Sequence, residues 1–211
     1  MGGIPLNIPI PVESATINYN FTDIMARTGY VTFYPTLTWE TNAAAYTLTT
    51  NSNVGSNSEL GAEILNTSYG GTYSANAISI NFDYTFKTTQ RIGGVALISM
   101  AYATATTGNG TATLTAKIYK NAGQLGTTAT YTKTYNSTSS LQVNNTASMQ
   151  INLADTTFAV NDVLRLTITI TDNGPKNTIF HDPVGRTCTD LDGTSLTQTR
   201  SILNLPFRIT I

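Results

Sequence analysis

The chain has 211 residues, with 11 Lys+Arg against 12 Asp+Glu, one His, one Cys and only 11% charged residues, where an average soluble domain carries about 25%. A formal net charge of −1 removes the driving force for nonspecific nucleic-acid binding, which needs clustered Lys and Arg to displace counterions from phosphates. The lone Cys188 excludes an intrachain disulfide, and the length allows one large domain with a core that needs no stabilising cofactor. Polarity comes instead from about 40 Thr and about 20 Asn: Thr suits a pleated strand surface, while Asn and Gly supply turns.

Residues 1–14 hold Pro5, Pro9 and Pro11 among Ile4, Ile8, Ile10 and Val12, a pattern that excludes a helix or a central strand and predicts an extended arm. The spacing marks Ile4, Pro5, Ile8, Pro9, Ile10, Pro11 and Val12 as a strip that docks on a partner surface. Met1 to Ser14 has neither a basic n-region nor an apolar h-region, so no signal peptide is expected. No segment approaches the roughly 18 apolar residues of a membrane-spanning helix.

Residues 15–211 read as one β domain. Ile17, Tyr19 and Phe21 alternate with polar residues, as do Val31, Phe33, Leu37 and Trp39, with Pro35 marking an edge or bulge. Ser56 and Glu59 stand in capping-box spacing before Leu60 and Ile64, which predicts one short helix over Ser56–Asn66. Ile78, Ile80, Phe82, Tyr84 and Phe86 share one face, and the nearly continuous apolar run Ile92–Tyr102 predicts a strand covered on both faces, with Gly93-Gly94 at its start or in a bulge. A hairpin follows through Ala112, Leu114, Ala116 and Ile118, the turn Asn121-Ala122-Gly123, then Ala129, Tyr131 and Lys133. Met149–Leu153 predicts a short strand, and Leu164, Leu166, Ile168 and Ile170 another; Leu205, Phe207, Ile209 and Ile211 close the chain in the same period. Strands with turn signals at short intervals describe an all-β sandwich or barrel of about eight to ten strands.

Chemistry-bearing residues are sparse. His181, Asp182, Arg186, Cys188, Asp190 and Asp192 fall close together in sequence and form the best enzyme candidate, but Asp182-Pro183 reads equally as a turn and Asp190-Leu191-Asp192-Gly193 as a polar loop. Asp190 and Asp192 offer hard-cation oxygens without the remaining ligands of an EF-hand loop. One Cys and one His exclude a zinc site, and neither a Gly-x-Ser-x-Gly elbow nor a phosphate-cradling glycine loop occurs. Sequons at Asn20, Asn66, Asn109, Asn136 and Asn144 are as many as the Asn, Ser and Thr content gives by accident. Tyr30, Tyr34, Tyr69 and Tyr73 are candidates for stacking on a glycan. The expectation is a non-enzymatic protein with no catalytic residue, cofactor or metal, whose charge-poor strands associate with a neighbouring subunit or larger assembly.

The segments Phe21-Thr-Asp-Ile-Met-Ala-Arg-Thr-Gly-Tyr-Val-Thr-Phe-Tyr34, Ile179-Phe-His-Asp-Pro-Val-Gly185 and Leu205-Pro-Phe-Arg-Ile-Thr-Ile211 resemble those of tailed-phage structural proteins. Phe158-Ala-Val-Asn-Asp162-Val-Leu-Arg-Leu-Thr-Ile168 is similar to the start of the penultimate strand of jelly rolls, with Asn161 in place of the usual Gly. The resemblance implies a jelly-roll-like antiparallel β-sandwich with an extended N-terminal arm and at most one short helix. It also implies a virion location, as a decoration or cement protein bound to the major capsid protein or another virion protein as a homotrimer. The alternative is the host-recognition head of a tail or head fibre, with a surface glycan as partner. Neither a nucleic acid nor a membrane is an expected partner.

Overall fold

The structure, a computed structural model, describes residues 17–18, 28–39, 46–50, 63–65, 78–105, 108–137, 142–172, 176–180, 187–189, 195–197 and 201–208. Among them the strands are β1 (Ile17–Asn18), β2 (Thr28–Trp39), β3 (Tyr46–Thr49), β4 (Glu63–Leu65), β5 (Ile78–Thr85), β6 (Gln90–Ala105), β7 (Gly108–Lys120), β8 (Gly123–Ser137), β9 (Gln142–Phe158), β10 (Val163–Asp172), β11 (Lys176–Phe180), β12 (Thr187–Thr189), β13 (Ser195–Thr197) and β14 (Ile202–Arg208). No helix occurs among the described residues, and so none there is long and apolar enough to cross a membrane.

Two four-stranded antiparallel layers carry the fold. One runs β2-β14-β6-β9, the other β5-β10-β7-β8. Spatial neighbours in each layer are mostly distant in sequence, as in the eight-stranded double-sheet jelly roll. β2 belongs to both layers: Thr28–Phe33 pairs with β14, and from Tyr34 onward it pairs with β3. Pro35, a residue that cannot donate to a ladder, sits just past this change of partner, next to the register shift between Thr36 and Trp39. β3 then joins β5 in parallel at Tyr46↔Phe82 and Thr47↔Asp83, a local departure from the otherwise antiparallel pairing.

This connection ties the layers along one flank. On the other flank β8 and β9 meet, because a Cβ on Gly126 would collide with the Asn152 carbonyl oxygen, and its φ of +67° also suits glycine. The sheet is thus nearly closed. β6 binds β9 along one edge; on its other edge it binds β14 over its first half and β11 over Ala101–Ala105, with β4 outside β11.

The period-2 pattern explains which faces meet. Leu164, Leu166, Ile168 and Ile170 on β10 are buried, as are Leu114, Ala116 and Ile118 on β7 and Ile80 and Phe82 on β5. The register puts Leu166 between Phe82 and Ile118, and Ile168 between Ile80 and Ala116. Against them pack Ile92, Ala96, Ile98 and Met100 of β6, Ala147, Met149, Ile151 and Phe158 of β9, Leu203 and Leu205 of β14, and Val31 and Phe33 of β2. Each large aliphatic side chain buried this way contributes about 1.5–3 kcal/mol of transfer free energy. Edge-on aromatic contacts link Phe33, Tyr84 and Phe86 at 4.9 and 5.2 Å.

Three expectations need correction. Glu63–Leu65, inside the span expected to be helical, is strand β4 paired with Thr178–Phe180; long-range pairing overrides a local capping signal. The run Ile92–Tyr102 is not buried on both faces, since Leu97 is 37% exposed while Ile98 and Met100 are buried. Its glycines do mark the expected bulge, between Ile92 and Gly94. Met149–Leu153 is the centre of a 17-residue strand rather than a short one, because polar Asn, Gln and Ser occupy its outward positions and dilute the apolar signal.

Leu166→Ala is expected to lower unfolding free energy by about 2–5 kcal/mol in urea titrations. Gly126→Ala, which forces β8 away from β9 and strains a left-handed position, should cost more than about 1 kcal/mol in the same assay.

Candidate functional site

The docking strip Ile4, Pro5, Ile8, Pro9, Ile10, Pro11 and Val12 lies outside the described residues, as do Tyr69, Tyr73, His181, Asp182, Arg186, Asp190 and Asp192. Cys188 is described as a backbone position in β12, opposite Leu196 of β13. Tyr30 and Tyr34 both lie on β2; Tyr30 is 37% exposed and Tyr34 half-buried. Among the described residues no group of three or more His, Cys, Asp or Glu side chains converges as a metal site would require.

The described carboxylates that form ion pairs are held by cations on neighbouring strands. Asp83, buried on β5, receives two hydrogen bonds from Arg165 on β10, Nε to Oδ1 and Nη2 to Oδ2, both at 2.7 Å. Those bonds raise the Arg165 pKa further. On the outside of the other layer, Asp155 of β9 takes Arg91 of β6 at 2.9 Å and Arg208 of β14 at 3.1 Å. The Arg208 hydrogen bond, reinforced by Arg91, holds the Asp155 carboxyl below the usual range. Gly93 makes this three-strand clamp possible, because a side chain there would run into the Asp155 carboxylate.

The third cluster closes one end of the sandwich, where the β7–β8 and β9–β10 turns meet. Asn121, in the left-handed region at φ 53°, donates from Nδ2 to Asp162 Oδ1 at 2.9 Å and accepts the Val163 N–H at 2.8 Å. Asp162 Oδ2 accepts the Ala159 N–H at 2.7 Å and lies 3.1 Å from Lys120 Nζ. Lys120 also donates to the Thr157 carbonyl and sits 5.6 Å above the Phe158 ring. The Asn121 bond first, then Ala159 and Lys120, hold the Asp162 carboxyl down at about 2. With lowered pKa values, Asp155 and Asp162 stay ionised at neutral pH and are unsuited to donate a proton as a general acid must.

What remains is surface chemistry. Combining the registers, the outward face of β5-β10-β7-β8 carries rows of facing residues: Ser79-Thr169-Thr115-Thr130, then Asn81-Thr167-Lys117, then Asp83-Arg165-Tyr119-Gln124. Thr171-Thr113-Thr132 and Thr111-Thr134 extend it. Hydroxyls satisfy one another across strands: Thr167 donates to Asn81 Oδ1 at 2.8 Å, and Thr169 to Ser79 at 3.1 Å. The face offers hydrogen bonds and methyl contacts to whatever lies against it. The alternation that located the core carried this face too, as threonines of the opposite parity.

No family model and no curated protein matches the chain. Solved structures do: two crystal structures of a CocE/NonD family hydrolase from Staphylococcus aureus align at 12% identity, with TM-scores of 0.44 and 0.46. They cover 85% and 86% of this chain, which spans only 37% and 36% of theirs. At that similarity they carry no argument about activity.

Arg165→Ala leaves the buried Asp83 carboxylate without its bidentate partner and should cost about 2–3 kcal/mol of stability, the upper range being discounted because Arg165 is partly solvated. Asp162 has a depressed folded-state pKa, so its stabilisation is complete above the ordinary carboxylate value of about 3.9 and is lost as pH falls through about 2. Melting temperature followed from pH 5 to pH 2 should therefore fall less steeply for Asp162→Asn than for the unaltered chain.

Proposed function

We propose that this chain is a non-enzymatic virion structural protein, a decoration or cement protein that binds the outer capsid surface as a homo-oligomer. The observation that carries the reading is the combination of a jelly-roll sandwich with a broad threonine-rich outer face of low charge. Jelly rolls recur in capsid and lectin domains, and a surface with few charges presents little electrostatic barrier to close packing against a neighbour. The paired carboxylates support the absence of catalysis, since each is committed to tying strands or turns together. The segments similar to tailed-phage structural proteins point the same way.

A second reading keeps the virion but makes the domain a host-recognition head that binds a surface glycan. Tyr30, exposed on β2, favours it, because an aromatic ring can stack on a sugar face while its hydroxyl stays solvated.

Immunogold labelling of virions with antibody against the purified chain separates the two. Label over the capsid shell is the expected result, label at fibre tips selects the glycan-binding head, and intact virions without label overturn both. In co-sedimentation with undecorated capsids, the full chain should pellet and a chain starting at Ser14 should not, while His181→Ala should pellet as the full chain does.

A further inference from the structure

The outward face of β2-β14-β6-β9 gathers its charge at one end. Arg208 of β14 stands opposite Thr28 of β2, and the pairing of its neighbour Phe207 with Ile92 sets it beside Arg91 of β6. Like charges side by side on paired strands repel; among the described residues Asp155 alone answers both, through Arg91 Nη2 and Arg208 Nε. A guanidinium has five donors, and the described residues take one from each arginine. Two arginines and one aspartate leave one positive charge, with spare donors on side chains that are 55% and 38% exposed. Arg165 on the other layer differs, because the buried Asp83 accepts two of its bonds.

An aromatic ring stands next to these cations. Tyr30 pairs with Pro206, which lies two residues before Arg208 and on the same face of β14. Tyr30 and Arg208 are thus diagonal neighbours, about 7–8 Å apart and within reach of long side chains. The ground between β2 and β9 is low. Pro206 is buried beside Tyr30, a Cβ on Gly94 would touch the Pro206 ring, and Gly93 lies under the Asp155 carboxylate. Among the described residues in that row, nothing taller than a proline ring separates Tyr30 from Asp155.

The two halves of this surface suit the two halves of one ligand. An exposed aromatic ring stacks on a flat, largely apolar face while its polar tip stays wet. A guanidinium fork takes a planar acid group by charge-assisted hydrogen bonds. We propose that Tyr30, Arg208 and Arg91 form a subsite for an acidic sugar, whose ring lies on Tyr30 and whose carboxylate or sulfate ester, of one negative charge, is held by the two arginines beside Asp155. This names the chemistry of the glycan in the second functional reading above and rests on that reading.

A glycan array carrying matched acidic and neutral oligosaccharides, probed with the full chain, tests it. Binding should select acidic members, and the uronic, sialic and sulfated sets tell which acid group the site takes. In calorimetric titration with a bound acidic oligosaccharide, Arg91→Gln and Arg208→Gln should each weaken affinity about tenfold or more. Tyr30→Ala should abolish binding, and Tyr30→Phe should keep it. Lys133→Gln, a cation on β8 in the other layer, should change nothing, and matching thermal melts verify that every variant is folded. Selection of neutral glycans alone overturns the acidic subsite and leaves the glycan-binding reading standing. Arginine or Tyr30 variants that bind normally, equal loss on Lys133→Gln, or competition by polyglutamate as strong as by the sugar also overturn the subsite alone. An array with no binding of either kind overturns it together with the glycan-binding reading.

Discussion

One constraint organises the molecule: every long strand must bury one face and only one, and the two layers exist because each supplies the surface the other needs. β10 illustrates it. Flanked by β5 and β7, it presents Leu164, Leu166, Ile168 and Ile170 inward while Arg165, Thr167 and Thr169 face out. A slip of one residue in its register would exchange those sets and bury a guanidinium with two hydroxyls. The same logic fixes β6 against β14 and β9, where Ile98 lies beside Leu203 on one edge and Met149 on the other.

The few charges reinforce this register rather than compete with it. Arg165 and Asp83 face each other across β10 and β5, so their bidentate bond holds only in the native alignment. Asp155 spans three strands with Arg91 and Arg208 at the β6 bulge, and Asp162 locks two turns at one end. Around the Asp83–Arg165 pair, the outward face of β5-β10-β7-β8 is rich in threonine, whose methyl packs on the pleat while its hydroxyl bonds across strands. That surface is polar enough to meet water and neutral enough to meet another protein, and it links the fold to the virion role proposed for it.

The closure of the sandwich is asymmetric. On the β2 flank, continuous chain through β3 joins the layers by hydrogen bonds. On the β8 flank, β8 and β9 lie against each other without ladder pairing among the described residues, and at Gly126 the missing side chain lets two backbones touch.

The sequence by itself determined the strands and their inward faces, because a two-residue period records which side of a pleat is apolar; Ile80 and Phe82, Leu114 to Ile118 and Leu164 to Ile170 were all legible this way. The β7–β8 turn at Asn121 and the β6 bulge at Gly94 were legible too, since both positions need a positive φ. Only the tertiary structure decided strand order, since β14 lies between β2 and β6, and β10 between β5 and β7, and local period is identical for any partner. It alone decided that Glu63–Leu65 pairs with β11 and is not helical, and that Asp83, Asp155 and Asp162 serve structural pairs. Those outcomes depend on residues far apart in the chain, and their cause is hydrogen bonding and charge pairing across strands, which no local pattern records.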